Sequence, residues 1–499
     1  MTRRACYWLD EQQRFVVENY NWATPFSNFF PGIGGKWGIP MWIFYVSRGQ
    51  AICSMGVRDK DHSILEFLSF NRALQLIYQQ GFRTFIKVGR KTYEPFRKVK
   101  DREIEQRMII ASEELELVEV NRKLGLEIRV LYYPVVNEPI AALVREVRIR
   151  NLKSKSVRLE VLDGLPRVIP YGPTQEHLKT IPRHIEGMMG VDDLDGIPIF
   201  RLKQTPADIS KVGKIEGGDF YFTITEDGKI LNRNVVVDPA VVFGEPETYF
   251  DPVGFERNSV RKLLACKQVR ENRTPCAFTA LEIAISPKQE FVFRTVIGSF
   301  PNERRMREFL RSVKRRGFFE RKREENRRVI GEIKSYAFTV SSSPEFDAYC
   351  GQNFLDNVLR GGMPIVFGSG KNKRVFYIFS RMHGDLERDY HFFVLEPNYL
   401  SQGTGLYRDP LQNRRRDVWF FPEIEDFNLR LFMSLLQLDG YNPQIVSRLT
   451  YTVENTAAVE RLLSRILPSK RVKELMKYLS CQFTAGELVM KLEEAGFRD

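Results

Sequence analysis

The stretch of sequence that decides the fold is Leu126–Tyr132, which reads LEIRVLY. Every second residue in it is apolar. In an extended chain these apolar side chains share one face: Leu126, Ile128, Val130 and Tyr132. A period of two indicates a β-strand with one face in a core and the other in contact with solvent.

The same alternation recurs up to about Phe300. It is seen in Val157–Val161, and Leu281–Ile285 with Phe291–Phe293 predicts the two arms of a hairpin about the turn Ser286–Gln289. Turn-forming residues occur at Asn137-Glu138-Pro139, Asp163-Gly164, Gly217-Gly218 and Glu226-Asp227-Gly228. Many strands separated by such turns predict a large antiparallel β-sandwich over residues 1–300.

A basic helical linker is predicted over residues 301–340. Asn302–Lys334 alternates glutamates with arginines, which is typical of helices carrying i,i+4 ion pairs, and Gly317 divides it into two helices. This segment concentrates much of the net charge of +13. A segment with this much positive charge could bind nucleic acid. However, its glutamates lie among the arginines and the sequence has no nucleic-acid-binding motif, which favours a role in packing between domains.

Helical signals dominate residues 341–499. Phe346, Tyr349, Phe354 and Val358 have rough helical spacing, and Phe427, Leu431, Leu435 and Leu438 form an apolar stripe. Further helices are predicted at Ala457–Leu467 and Arg471–Leu479, and a capping box of Thr484 with Glu487 begins a last one that Gly496 stops.

Length, composition and the absence of certain motifs exclude several classes of protein. A chain of 499 residues is long enough for two or three domains, and 43% hydrophobic with 28% charged residues is ordinary for a globular protein. We find no membrane-spanning run, no secretory signal, no nucleotide-binding loop and no metal-ligand spacing. We therefore expect a cytoplasmic protein without a metal or cofactor.

The segment richest in candidate chemistry is Tyr377–Asp417, YIFSRMHGDLERDYHFFVLEPNYLSQGTGLYRDPLQNRRRD. It mixes carboxylates and arginines with tyrosines and phenylalanines. Aromatic rings can stack on the apolar faces of a sugar, while carboxylate and guanidinium groups bind its hydroxyls. This composition favours a carbohydrate pocket.

The order of these regions resembles the inverting glycoside phosphorylases related to cellobiose and chitobiose phosphorylase. Their motif Gly-[Tyr/Phe]-Arg-Asp-x-x-Gln-Asp is similar to Gly405–Asn413 here, which has one inserted residue after the glycine and Asn413 in place of the second aspartate. The resemblance implies an N-terminal β-supersandwich, a helical linker and the first part of an (α/α)6 barrel at residues 341–499.

Other blocks are similar to the branch of this family that acts on β-glucan oligosaccharides. They are Pro31-Gly32-Ile33, Trp37–Trp42, Asn137–Pro139, Leu162–Pro166, Gly384–Tyr390 and Leu438–Pro443. The resemblance implies reversible phosphorolysis of a β-linked gluco-oligosaccharide to α-glucose 1-phosphate, with inorganic phosphate as co-substrate. A homodimer, or a complex with another chain, is expected.

The resemblance and the chemistry together select the substrate-binding candidates. Arg408 and Asp409 are the first of them, with Tyr407 and Gln412 beside them; a buried structural ion pair is the alternative for Arg408 and Asp409. Asp385, Arg388 and Asp389 either line a pocket or begin a helix.

Two more candidates lie in the sandwich domain. Trp37 and Arg48 could form part of a sugar platform with Trp42 and Tyr45, although aromatic residues in a strand are more often core.

The catalytic residue itself is not identified. In the family the general acid lies on a barrel loop well beyond the Tyr-Arg-Asp motif, and the residues after Arg408 are too few for the twelve helices of a closed barrel. We therefore expect the chain alone to be inactive, as a fragment or as one half of a split enzyme. A non-catalytic carbohydrate-binding subunit and an inverting hydrolase are the rival interpretations.

Overall fold

The structure, a computed structural model, describes residues 4–206, 215–245, 248–382 and 393–494. The chain is mixed β and helical, and a large antiparallel β-sandwich precedes most of the helices. None of the described helices is both long and apolar enough to span a bilayer.

Nineteen strands lie in the described residues up to Phe300. In chain order they are β1 (Cys6–Leu9), β2 (Phe15–Glu18), β3 (Ser27–Phe30), β4 (Trp42–Val46), β5 (Ile52–Gly56), β6 (Ser63–Leu65), β7 (Arg83–Val88), β8 (Lys91–Tyr93), β9 (Ile104–Ile110), β10 (Leu115–Asn121), β11 (Leu126–Pro134), β12 (Ala141–Asn151), β13 (Val157–Leu165), β14 (Met189–Leu194), β15 (Ile197–Leu202), β16 (Gly218–Thr225), β17 (Val235–Val236), β18 (Ala277–Ile285) and β19 (Glu290–Phe300). Six short helices lie between them: α1 (Phe70–Gln80), α2 (Gln175–Thr180), α3 (Pro182–Glu186), α4 (Pro239–Phe243), α5 (Val253–Arg257) and α6 (Val260–Ala265).

The strands form three antiparallel sheets. The largest has ten strands in the order β1-β2-β9-β10-β11-β12-β19-β16-β15-β14, the second has five in the order β17-β18-β13-β7-β8, and the third has the order β3-β4-β5-β6. The strand predicted from Leu126–Tyr132 is β11, near the middle of the ten-stranded sheet. Its alternate residues Leu126, Ile128 and Val130 are fully buried, which confirms the period-two prediction.

The hairpin predicted at Leu281–Phe293 is wrong. Both arms are strands, but β18 pairs with β13 in the five-stranded sheet while β19 lies between β12 and β16 in the ten-stranded sheet. The turn Ser286–Gln289 therefore carries the chain from one layer of the sandwich to the other. The two strands thereby contribute to the two facing layers of the sandwich.

Asn151 fixes two such crossovers at the same end of the sandwich. Its buried side-chain amide donates to the carbonyl oxygens of Lys155, Ile285 and Ser286 at 2.8–3.3 Å. The first belongs to the connection between β12 and β13, and the other two lie where β18 meets the turn before β19. One side chain thus satisfies backbone acceptors of both connections.

The turn predicted at Asp163-Gly164 is also wrong, because both residues lie inside β13. A Cβ atom on Gly164 would lie 1.9 Å from the carbonyl oxygen of Ala277, so glycine allows close approach of the neighbouring strand. Asp163 is fully buried and its Oδ2 accepts from Nη1 of Arg145 at 2.5 Å. This ion pair joins β12 of one layer to β13 of the other.

The helical linker has the predicted form. It consists of α7 (Glu303–Val313) and α8 (Phe318–Ser335), and Gly317 between them has φ 72°, a left-handed conformation that favours glycine. The loop between β9 and β10 holds α8: Glu114 accepts from Arg323 at 2.7 Å and from Arg327 at 2.8 Å. Many of the linker charges therefore contact the sandwich.

We expect this linker not to bind nucleic acid tightly. Arginines already paired with glutamates have little charge left to displace counterions from a duplex. Fluorescence anisotropy with a random DNA duplex at physiological salt should give a dissociation constant no tighter than the non-specific range of about 10⁻⁴–10⁻⁶ M. A salt-dependent affinity well below micromolar would contradict this expectation.

The remaining elements follow the linker. They are α9 (Pro344–Gly361), β20 (Met363–Phe367), β21 (Arg374–Ile378), β22 (Gly405–Leu406), α10 (Arg408–Arg414), α11 (Asp417–Phe420), α12 (Phe427–Ser434), β23 (Ile445–Val446), α13 (Thr456–Ser464), α14 (Ser469–Leu479) and α15 (Ala485–Glu494). The capping box is present, because Thr484 N donates to Glu487 Oε2 at 2.8 Å and Glu487 N to Thr484 Oγ1 at 3.2 Å. Gly496 lies outside the described residues.

One predicted helix is shorter than its apolar stripe indicated. α12 ends at Ser434, so Leu438 lies beyond it and is fully exposed. The helix turns Asn428 and Phe432 inward, while Leu429 and Met433 are 67% and 60% exposed. Large apolar side chains exposed on this part of the chain also include Phe346, Tyr349, Trp419, Tyr441, Leu462 and Ile466.

Candidate functional site

The Tyr-Arg-Asp motif lies at the start of α10. The preceding strand β22 pairs with β23, and the backbone N–H of Tyr407 donates to the carbonyl of Gln444 at 2.9 Å. The Tyr407 ring is buried edge-on against Phe432 of α12, with centroids 5.6 Å apart, and its hydroxyl donates to the Phe432 carbonyl at 3.3 Å. Tyr407 therefore anchors the helix start to α12.

Arg408 and Asp409 differ sharply in exposure. The Arg408 side chain is 73% exposed, whereas that of Asp409 is 10% exposed. Nε and Nη2 of Arg408 both lie 3.4 Å from Oδ1 of Asp409. The guanidinium is thus held loosely by one carboxylate oxygen and presents most of its donors to solvent, where a ligand could reach them.

The next turn of α10 also has one exposed side and one side that packs against the protein. Gln412 is exposed one turn after Arg408, so the two side chains share the outer face of the helix. Asn413 faces α9, where Gly361 approaches it closely, and its Nδ2 donates to the carbonyl of Asp409 at 2.8 Å. Arg408 and Gln412 can therefore contact a ligand on the outer face, while the hydrogen bond from Asn413 stabilises the helix itself.

A buried polar cluster lies behind α10. The Arg414 guanidinium is 3.9 Å from the centre of the Tyr377 ring and donates through Nε to the carbonyl of Gly361. Nδ2 of Asn428 donates to the Tyr377 hydroxyl at 2.6 Å and to the Arg414 carbonyl at 3.0 Å. The cluster ties together α9, β21, α10 and α12.

Asp417 completes this cluster. Burial raises its pKa from 3.8 to about 7, although a hydrogen bond with the Tyr377 hydroxyl and the charge of Arg414 oppose the rise. Among the described residues, Oδ2 of Asp417 and Oδ1 of Asn428 have no hydrogen-bond partner. Asp417 is the last residue of the segment in which the sequence predicts a carbohydrate pocket, and the structure buries it. Tyr377 and Asn428 were missed because no local pattern marks them.

We expect Asp417 to make stability depend on pH. Because its pKa is raised in the folded state, the stabilisation it gives when protonated is fully present below about pH 4 and is lost as the pH rises through 7. Asp417→Asn stays neutral, so the variant should gain thermal stability relative to the wild type between pH 5 and pH 8. Melting temperatures that differ by the same amount at both pH values would contradict this.

Trp37 lies in a different region from α10. Its side chain is 48% exposed, and its ring is 6.1 Å from that of Tyr399 at an angle of 86°. Trp42 and Tyr45, in contrast, are 3% exposed in β4, which confirms the core interpretation for these two residues. Trp37 keeps an accessible ring, and its role in sugar binding stays a prediction.

The Arg48 guanidinium is occupied within the sandwich. It donates to the carbonyls of Tyr20, Ala23 and Ser47 at 2.6–3.3 Å, and so holds the loop after β2. These bonds occupy N–H donors of Arg48 that would otherwise be available to the hydroxyl groups of a sugar. Asp385, Arg388 and Asp389 lie outside the described residues.

Comparisons with known proteins give only distant likenesses. No family model matches the chain. No curated protein matches it either. Three solved structures are similar at 10% identity: a bacterial glucoamylase complexed with acarbose, a galactose mutarotase-like protein from Clostridium acetobutylicum and a family GH92 α-mannosidase from Bacteroides thetaiotaomicron.

The extent of these likenesses varies. The glucoamylase has a TM-score of 0.38, with 94% of this chain and 57% of that chain covered. The mutarotase-like protein has a TM-score of 0.28, and the match covers 60% of this chain and 98% of that chain. The mannosidase has a TM-score of 0.25, and the match covers 94% of this chain and 55% of that chain. The chain thus spans little more than half the length of the glucoamylase. TM-scores this low assign neither a fold nor a function.

Proposed function

We propose that the chain is part of an inverting glycoside phosphorylase. It acts on a β-linked gluco-oligosaccharide and yields α-glucose 1-phosphate and a shortened acceptor, and its general acid lies outside this chain. The proposal rests on the resemblance of Gly405–Asn413 to the phosphorylase motif and on the order of sandwich, linker and helices.

The observation that carries the proposal is the geometry of Arg408 and Asp409. An exposed guanidinium beside a largely buried carboxylate, at the first turn of α10, can bind neighbouring hydroxyls of one sugar ring. Gln412 adds an amide on the same face. In the alternative of a buried structural ion pair both partners would be buried, whereas the Arg408 side chain is 73% exposed and accessible to a ligand.

The reaction needs few groups from the protein. An oxygen of inorganic phosphate bonds to the anomeric carbon while the bond from that carbon to the glycosidic oxygen breaks on the opposite face. An acid protonates the departing oxygen, and inversion converts the β-linkage to an α-phosphate ester. Phosphate is already anionic, so no base is required. Arg408 and Asp409 hold the ring that receives the phosphate.

The exposed apolar side chains support a requirement for more helices. Leu429 and Met433 on α12 and Leu462 on α13 are each more than half exposed, which a soluble monomer seldom tolerates over a large patch. We propose that further helices of an (α/α)6 barrel, in the same polypeptide or in a partner chain, cover these faces. A homodimer that covers them is the other arrangement.

We expect the purified 499-residue chain to self-associate and to lack phosphorolysis. Light scattering after size exclusion should show oligomers or aggregates, because the apolar faces are uncovered. Incubation with β-gluco-oligosaccharides and phosphate should release no glucose 1-phosphate. Co-expression with the protein encoded next to it should restore the release. Robust phosphorolysis by a monomeric preparation would refute this expectation.

The same assay separates the rival functions. A non-catalytic carbohydrate-binding subunit would bind the oligosaccharide without turnover even in the completed complex. An inverting hydrolase would release glucose at the same rate with and without phosphate. Only strict dependence on phosphate supports the proposed activity.

A further inference from the structure

A cavity of about 520 Å³ lies along α7, and we refer to it as the α7 cavity. Its volume is within the range of about 300–1,000 Å³ that is usual for small-ligand sites. Residues from one face of α7 line it, together with Glu138, Pro139, Arg315, Tyr399 and Glu493. No residue of α10 contributes to it, so it is distinct from the Arg408–Asp409 site.

Every carboxylate that lines the α7 cavity already pairs with a cation. The pairs are Glu308 with Arg304 at 3.2 Å, Glu308 with Arg305 at 3.6 Å, Glu493 with Arg305 at 3.4 Å and Glu138 with Lys322 at 2.9 Å. The Tyr399 hydroxyl also donates to Glu493 at 3.1 Å. These acids already have cations as their hydrogen-bonded or close ion-pair partners, and Arg315 acts on Glu138 only through its charge.

Positive charge is in surplus on the α7 wall. Arg311 and Arg315 lie one turn apart and line the cavity, and neither forms an ion pair within the described part of the chain. Arg305 lines the same cavity, is only 6% exposed and has an Nε–H with no acceptor among the described residues. A buried donor without a partner is costly, and it leaves the Arg305 guanidinium incompletely satisfied beside the cavity.

We infer that the α7 cavity binds a phosphoryl group, as inorganic phosphate or as a phosphate monoester. A phosphoryl group carries close to two negative charges and offers three acceptor oxygens, which suits two guanidinium forks. A carboxylate carries one charge and would leave one arginine unpaired. A volume of about 520 Å³ suits a small molecule.

The surroundings favour a monoester of a sugar over free phosphate. Tyr399 lines the cavity, and the half-exposed ring of Trp37 lies beside it at 6.1 Å. A sugar attached to the phosphoryl group can stack on this accessible ring. The proposed function would supply such a monoester as its product, but the phosphoryl site itself stands without that function.

Calorimetric titration of the 499-residue chain tests the inference without any turnover. Glucose 1-phosphate and inorganic phosphate are titrated separately at constant ionic strength, each against a chloride blank. We expect saturable binding of one inorganic phosphate per chain at the α7 cavity, and of glucose 1-phosphate there in addition to any binding at the Arg408–Asp409 site. Arg311→Ala and Arg315→Ala should each weaken it by about tenfold, because a charged hydrogen bond contributes about that factor. Arg430→Ala, which removes an exposed arginine of α12 outside the cavity, should bind as the wild type does.

Matched variants decide the outcome. Arg307→Ala with Arg316→Ala also removes two arginines, but neither lines the cavity, so this pair should bind normally. Trp37→Ala should weaken the monoester and leave free phosphate unchanged if the sugar contacts the ring. Absence of saturable binding, or equal losses in the Arg307/Arg316 control, would overturn the inference. So would an effect of Arg311→Ala and Arg315→Ala on melting temperature alone, because the arginines would then only stabilise the C-terminal turn of α7.

Discussion

Asp163→Ala is expected to lower the free energy of unfolding by about 3–5 kcal/mol, because it leaves a buried guanidinium without its counterion. Arg145 and Asp163 are both completely buried. The Thr84 hydroxyl donates to Asp163 Oδ1 at 2.6 Å and lies 3.1 Å from Nη2 of Arg145, so it loses its nearer acceptor and is left with Oε1 of Gln50 at 3.4 Å. Urea unfolding followed by circular dichroism measures the loss.

An exposed ion pair in the same sheet provides the control. Glu282 lies in β18, next to β13, and its carboxylate is 2.8 Å from Arg261 with both side chains more than half exposed. Glu282→Ala should change stability by less than about 1 kcal/mol. If the alanine variant does not fold, the unfolding of Asp163→Asn, which keeps the shape of the side chain, can be measured in its place. Losses of equal size at Asp163 and Glu282 would show that the buried pair has no special role.

Arg408→Ala is expected to weaken oligosaccharide binding by about 2–5 kcal/mol, which is at least about thirtyfold, while the fold stays intact. The large effect follows because the sugar hydroxyl and Asp409 both lose their partner. The small effect on stability follows from the 73% exposure of the Arg408 side chain. Calorimetric titration with a gluco-oligosaccharide measures binding, and thermal melting measures the fold.

Asp409→Ala should weaken binding to a similar extent, and some loss of stability is expected because this side chain is only 10% exposed. Arg430→Ala is the matched control. Arg430 is 79% exposed on α12 and pairs with Asp426 at 2.7 Å, and we expect it to leave binding unchanged. If Arg408→Ala melts far below the wild type, or binds the sugar normally, the Tyr-Arg-Asp motif is structural.

Local patterns predicted those elements whose cause is local. The alternation in Leu126–Tyr132 gave a strand, Gly317 divided two helices, and Thr484 with Glu487 formed the predicted capping box. Each signal depends on residues within one turn or one strand. The physical reason for each of these elements therefore lies in the short stretch of sequence that forms it.

Features that depend on distant partners were not predictable in this way. A turn such as Ser286–Gln289 looks the same whether the flanking strands pair with each other or enter different sheets. Arg145 shares one face of β12 with Leu143 and Val147, so the alternation points it into the core, but its counterion Asp163 lies in the other layer. Nothing near Arg145 in sequence announces that partner.

The candidate site follows the same division. The motif placed Tyr407, Arg408 and Asp409 together at a helix start because they are consecutive in sequence. The cluster behind them joins Tyr377 to Asn428, which are separated by 51 residues, and only the packing of β21 against α12 brings them together. The α7 cavity likewise combines a linker helix with Glu493 of α15.

The position of β19 between β12 and β16 has a consequence for synthesis of the chain. Its partners precede it by many residues, since Ala141 pairs with Ser299. Until Phe300 has left the ribosome, β12 and β16 each have an unpaired edge, and edges of this kind recruit other chains. The sandwich therefore has high contact order, and its slowest step should wait for the last strand to insert.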